Sequence, residues 1–291
     1  MKKGIAFLLL VILPVFFSGC KPQTPQVVAT TRPVYDFTSA LCDGTDISVG
    51  LLVTENVSCL HDYTLQVSQM QMVESAEVVI LSGVGLEDFL GDVLTDVGNI
   101  IDSSEGCHLH GGDPHDHEDH GHAHSHTQDP HIWLSPENAK IMVANICAGL
   151  TKIYPQYAGT FAANWAVLTD RLDALQQYGN TQLADLGYRE LITFHDGFGY
   201  FAESFDLTIL EAIEEESGSE ASAKELKHLI TLVNSHGLPA VFTEENGSVS
   251  AAEVICAETG ITSYTLSMAM GQGDYFEVMY RNIDTVKEAL E

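Results

Sequence analysis

Residues 156–186 read QYAGTFAANWAVLTDRLDALQQYGNTQLADL, and the length of this helical pattern decides the architecture. At about 1.5 Å rise per residue, some thirty residues of helix span roughly 45 Å, enough to run the height of two lobes. Pro155 separates the pattern from another helical stretch at 136–154, since proline lacks the N–H that a helix interior needs. A rigid helix of this kind limits relative motion more than loose crossover strands would.

Outward from this helix, apolar runs alternate with helical patterns on both sides. Before it, strands are predicted at 26–30, 47–53, 77–82 and 97–101, with helices at 33–42, 65–75 and 87–94. After it, strands fall at 191–194, 207–212, 239–243 and 261–266, with helices at 197–204, 222–236, 248–259 and 274–290. Strands spaced by single helices imply parallel sheets covered on both faces. The expected fold is α/β: an N-terminal lobe at 21–155 and a C-terminal lobe at 188–291, each a parallel β-sheet flanked by helices, joined by a linker helix at 156–187.

Residues 1–20 stand apart from this pattern. Lys2 and Lys3 precede an apolar run at 5–17, and Ser18-Gly19-Cys20 closes it with small residues. This is the layout of an export signal, too short for a comfortable transmembrane helix. It looks like a bacterial lipobox with Cys20 as the lipidated N-terminus, although Phe17 stands where leucine is usual; a plain secretory signal is the competing reading. Residues 21–26 then form a tether, and no later segment has eighteen uninterrupted apolar residues. The rest of the chain is therefore expected outside the membrane, held to it only by lipid.

Composition narrows the function. Twelve Lys and Arg against 41 Asp and Glu give a formal net charge of -29, which excludes a nucleic-acid partner because few cations exist to replace phosphate counterions. Export permits disulfides. Cys42, Cys59, Cys107, Cys147 and Cys256 show no CxxC spacing and are odd in number, so a zinc ribbon is not expected. Cys42 with Cys59 is one candidate pair; unpaired buried thiols are the alternative.

An insert at 106–128 differs in kind from both lobes. Eight histidines (His108, His110, His115, His117, His120, His122, His124 and His126) are interleaved with carboxylates and lack apolar periodicity. Such a segment cannot bury a core and is expected to be mobile. Its imidazoles suit weak, multi-site binding of Zn²⁺ and similar borderline ions.

Three histidines outside the run stand in loops at strand or helix ends. His61 follows the strand at 47–53, His131 precedes the helix at 136–154, and His195 directly follows the strand at 191–194. In parallel α/β sheets ligands bind beyond the carboxyl ends of strands. Three such histidines from two lobes, beside a metal-attracting insert, point to a metal site between the lobes.

Here the sequence resembles the zinc-binding solute receptors of bacterial ABC importers, the cluster that handles Zn²⁺ and Mn²⁺, over nearly its whole length. The resemblance rests on His61-Asp62-Tyr63, Leu81-Ser82-Gly83-Val84-Gly85-Leu86-Glu87, Asp129-Pro130-His131-Ile132-Trp133-Leu134-Ser135-Pro136, Phe194-His195-Asp196-Gly197-Phe198-Gly199-Tyr200-Phe201, Phe242-Thr243-Glu244 and Ala257-Glu258-Thr259-Gly260. It implies His61, His131 and His195 as ligands of Zn²⁺, and an ABC permease with its ATPase as partner. Imidazole suits Zn²⁺ better than Mn²⁺, which favours oxygen. Asp62 and Asp196 are candidates for holding the ligands from behind. Many relatives supply a fourth, carboxylate ligand after the last strand; Leu266-Ser267-Met268-Ala269-Met270-Gly271 has none. Water, Glu244 or Glu245 would complete the shell, unless Glu244 is a buried structural carboxylate. The expected function is an extracytoplasmic, monomeric zinc receptor and not an enzyme, lipid-anchored on the outer face of the membrane or periplasmic. Competing readings are an Mn²⁺ receptor, an envelope zinc buffer or adhesin, and a zinc hydrolase, the last disfavoured because no His-Glu-x-x-His helix occurs.

Overall fold

The computed structural model describes residues 24–55, 60, 63–110, 128–213 and 221–291. The export signal with Cys20, the ligand candidate His61 with Asp62, and six insert histidines (His115, His117, His120, His122, His124 and His126) lie outside them.

The N-terminal sheet holds β1 (Val27–Ala29), β2 (Val49–Leu51), β3 (Val78–Leu81) and β4 (Ile100–Asp102), all parallel, in the order β2-β1-β3-β4. The C-terminal sheet holds β5 (Glu190–Thr193), β6 (Thr208–Ala212), β7 (Ala240–Glu244) and β8 (Thr262–Leu266), again parallel, ordered β6-β5-β7-β8. In both, the chain leaves a central strand, visits one edge, and returns to the other side. The carboxyl ends of β1 and β3, and of β5 and β7, are therefore switch points, where crossovers diverge and leave a crevice. The central strands are buried on both faces and read as apolar runs, as parallel sheets require.

Helices α1 (Arg32–Leu41), α2 (Val67–Ser75), α3 (Pro136–Ile153), α5 (Gly199–Ser204), α6 (Ala223–His236), α7 (Ser250–Thr259) and α8 (Tyr275–Leu290) cover the sheets. The linker, α4, runs from Ala158 to Gln182, after a 3₁₀ turn at Pro155–Tyr157. It is shorter than the sequence pattern predicted: 25 residues, or about 37 Å. Its buried Phe161, Leu168, Leu172, Leu175 and Gly179 form one stripe, and α4 packs on α1 and α3 of one lobe and α8 of the other.

A second departure is at 87–94. Instead of an α-helix, the chain makes 3₁₀ turns over Asp88–Asp96, kinked where Gly91 adopts φ 46°, a left-handed conformation open to glycine. Cys42 is a buried free thiol, its pKa pushed up to about 12 by burial, and its candidate partner Cys59 lies outside the described residues.

Several contacts cross between the lobes. Asp36 of α1 accepts the backbone N–H of Tyr275 at 2.9 Å, and the rings of Phe37 and Tyr275 meet edge-on at 4.7 Å. The Tyr275 hydroxyl donates to the carbonyl of Trp133, and the Trp133 indole N–H donates to that of Met268, both at 2.8 Å.

Candidate metal centre

His195 leaves the end of β5 and His131 opens the turn before α3, so the two sit on opposite walls of the cleft. Their Nε2 atoms stand 3.5 Å apart, with ring planes at 84°. That is longer than an ordinary N–H hydrogen bond of about 2.9–3.0 Å. Two nitrogens each bonded to zinc at about 2.0–2.1 Å and set at the tetrahedral angle stand roughly 3.3–3.4 Å apart. The spacing fits one edge of a zinc coordination shell.

Both rings are held from behind by a carboxylate. Asp129 Oδ1 accepts from the Nδ1 of His131 at 2.7 Å and from its backbone N–H at 2.9 Å. With its proton on Nδ1, His131 presents the Nε2 lone pair toward His195. Glu244, buried at the end of β7, places Oε2 3.4 Å from the Nδ1 of His195. It therefore approaches His195 on the side opposite the paired Nε2 atoms. Glu245 pairs instead with Arg281 at 3.7 Å on the surface.

Asp196, singled out in the sequence as a ligand support, lies close to Asp129 and His131. Its pKa is raised, first by burial and then by the charge of Asp129, against a lowering by His131. The carboxylate bonded to His131 is Asp129, which the sequence reading passed over although it stands two residues upstream in Asp-Pro-His. Gly197 also escaped notice. A Cβ there would lie 2.4 Å from the Met268 methyl and 2.8 Å from both His131 Nδ1 and His195 Cδ2. Only glycine lets these three groups converge.

His108 and His110 are not part of a loose loop. Asn138 of α3 pairs with the backbone of His108 through both amide atoms, at 2.8 and 2.9 Å. The Tyr200 hydroxyl accepts from the His110 N–H at 3.2 Å and donates to the Asp129 carbonyl at 2.8 Å, so one α5 side chain ties both stems of the insert. The two Nε2 atoms face the two carboxylate oxygens of Glu203, at 3.5 and 3.2 Å. Cys107 and Leu109 pack against the core, which fixes this root where mobility was expected. Among the described residues, no group of three or more His, Cys, Asp or Glu converges on one point as a metal cage would require; the third histidine expected here, His61, lies outside them.

The family described as zinc-uptake complex component A, periplasmic, matches residues 27–289. The chain belongs to this family. The zinc-binding protein AdcA of Streptococcus pyogenes serotype M3 is 29% identical over 99% of the chain, which spans 61% of that relative's length. A putative metal-binding protein of Treponema pallidum is 29% identical, covering 93% of this chain and 92% of its own length. Among solved structures, a crystal structure of ZnuA matches with a TM-score of 0.79 at 26% identity, over 92% of this chain and 99% of that one. A ZnuA deletion mutant with zinc bound matches with a TM-score of 0.78 at 27% identity, over the same shares. The two-lobed α/β fold is that of these zinc-uptake proteins.

Proposed function

We propose that the protein captures Zn²⁺ between its lobes, outside the cytoplasmic membrane, and hands it to an ABC permease driven by its ATPase. The observation that carries this reading is the His131–His195 pair: two Nε2 atoms at coordination spacing, each ring with a carboxylate behind it. Such carboxylates fix ring orientation and raise ligand basicity. His61, from the loop after β2, is the third ligand. Nitrogen donors favour Zn²⁺ over Mn²⁺. The protein acts as a receptor, as its family membership supports, with Asp129 and Glu244 facing the Nδ1 atoms as supports of the two rings.

Residues 1–20 export the chain and Cys20 carries the lipid that keeps it, as a monomer, at the membrane's outer face. No helix among the described residues is long and apolar enough to cross a membrane. Beyond the fixed root at His108 and His110, the insert histidines gather zinc weakly, because wrapping a chain segment around an ion costs conformational entropy that side chains anchored at strand ends have already lost.

Calorimetry separates the two kinds of site. Deleting residues 111–127, which spares the fixed root at His108 and His110, should lower the number of Zn²⁺ ions bound while one tight site persists. His131→Ala should remove the tight site and leave the weak ones. Loss of the tightest site on deletion would overturn this assignment.

A further inference from the structure

The loop after β8, residues 267–270, is buried throughout. Asn282 of α8 grips Ser267 by both backbone groups, accepting its N–H at 3.0 Å and donating to its carbonyl at 2.7 Å. Trp133, from the opposite lobe, holds the Met268 carbonyl. Ala269 sits at φ 58°, a left-handed conformation costly for a residue with a Cβ, kept by these bonds on the two residues before it. The Met268 backbone is thus fixed from both lobes. Its side chain, 2% exposed, ends with its methyl in the space over Gly197 that His131 and His195 also border.

The sequence pointed to Ser267 as the place left without a ligand carboxylate. In the fold, the Ser267 hydroxyl accepts the Ala269 N–H at 3.4 Å, and the side chain that shares the space over Gly197 with His131 and with the Cδ2 edge of His195 is that of Met268. We propose that Met268 is a specificity-determining residue, an apolar wall that closes one side of the metal centre to oxygen ligands. An ion such as Mn²⁺ that depends on several oxygens loses more from that wall than Zn²⁺, which is content with four ligands and accepts imidazole. The inference rests on the reading that the metal is held by His131 and His195.

The test is a competition titration of Zn²⁺ against Mn²⁺ on the full exported chain and on Met268→Asp, Met268→Ser and Met268→Leu. Aspartate supplies an anionic oxygen; serine supplies room for water and serves if the buried charge prevents folding; leucine keeps the wall. The Asp and Ser variants should shift the ratio of affinities toward Mn²⁺, by about tenfold or more for Asp, while Leu holds it within about threefold. A ratio unmoved by Asp and Ser, or moved as far by Leu, would overturn the assignment. Failure of the underlying reading is recognised separately: wild type would lack a tight zinc site, or His195→Ala would keep it.

Discussion

At the carboxyl ends of β1 and β3, and again at those of β5 and β7, the same topological corner recurs, each with one buried glutamate. In the N-terminal lobe, Glu87 is consumed by its own lobe. Its Oε1 accepts the Thr30 hydroxyl and the Ser82 N–H, both at 2.6 Å, and its Oε2 accepts the Gly83 N–H at 3.0 Å. In the C-terminal lobe, Glu244 faces the imidazole of His195, whose far nitrogen meets His131 across the cleft. Identical strand order thus yields a self-contained lock in one lobe and, in the other, a carboxylate turned toward a cleft histidine. A switch point offers a crevice; which groups the carboxylate satisfies decides whether that crevice stiffens a loop or does chemistry.

The largest expected contrast comes from removing each corner's key group. His195→Ala should abolish the tight zinc site seen by calorimetry, whereas Glu87→Gln should leave zinc affinity unaltered. A loss of tight binding in the glutamine variant would mean that the two corners are not independent.

Next in size are the supports behind the rings. Asp129→Asn and Glu244→Gln should each weaken Zn²⁺ binding about 10–100-fold, because the ligand stays while its orientation and basicity are lost. Asp129 makes the shorter contact, 2.7 Å against 3.4 Å, so its variant should fall at the upper end. Equal affinities for both variants and wild type would remove the carboxylates from the account.

The smallest effect is on stability. Glu87→Gln turns an amide N–H₂ toward donors and should cost about 1 kcal/mol in chemical denaturation of the metal-free protein. The sign of its pH dependence follows from burial, which pushes the Glu87 carboxyl up to about 7 against the pull of its three donors. A carboxyl raised in the folded state contributes stability while it is protonated, and that contribution is lost as the pH climbs from about 4.5, where the unfolded group titrates, through about 7. The gap between wild type and Glu87→Gln should therefore be wider at pH 5 than at pH 8. A gap that widens with pH would reverse the assignment.

Much of this comparison could be read before folding. Eight strands and the long helix follow from periodicity, because burial on two faces leaves apolar runs and a helix over two lobes leaves a stripe. The stretch at 87–94 misled because its apolar spacing is helical while Gly91 takes a backbone that no α-helix contains. That His131 and His195 belong together was legible from their strings; the carboxylates behind them were less so. Glu244 meets His195 only because β7 pairs beside β5, and Met268 reaches the histidines through a loop held by Trp133, 135 positions away in sequence. Periodicity describes elements one at a time and carries no information about such adjacency.

The central claim is that zinc bridges the lobes through the Nε2 atoms of His131 and His195. Diffraction from zinc-loaded crystals at the zinc absorption edge tests it most directly. The account predicts one strong anomalous peak within about 2.0–2.1 Å of both Nε2 atoms, with Asp129 and Glu244 outside the coordination shell. A strongest peak bound through either Nδ1, or lying on Glu87 in the other corner, would contradict it.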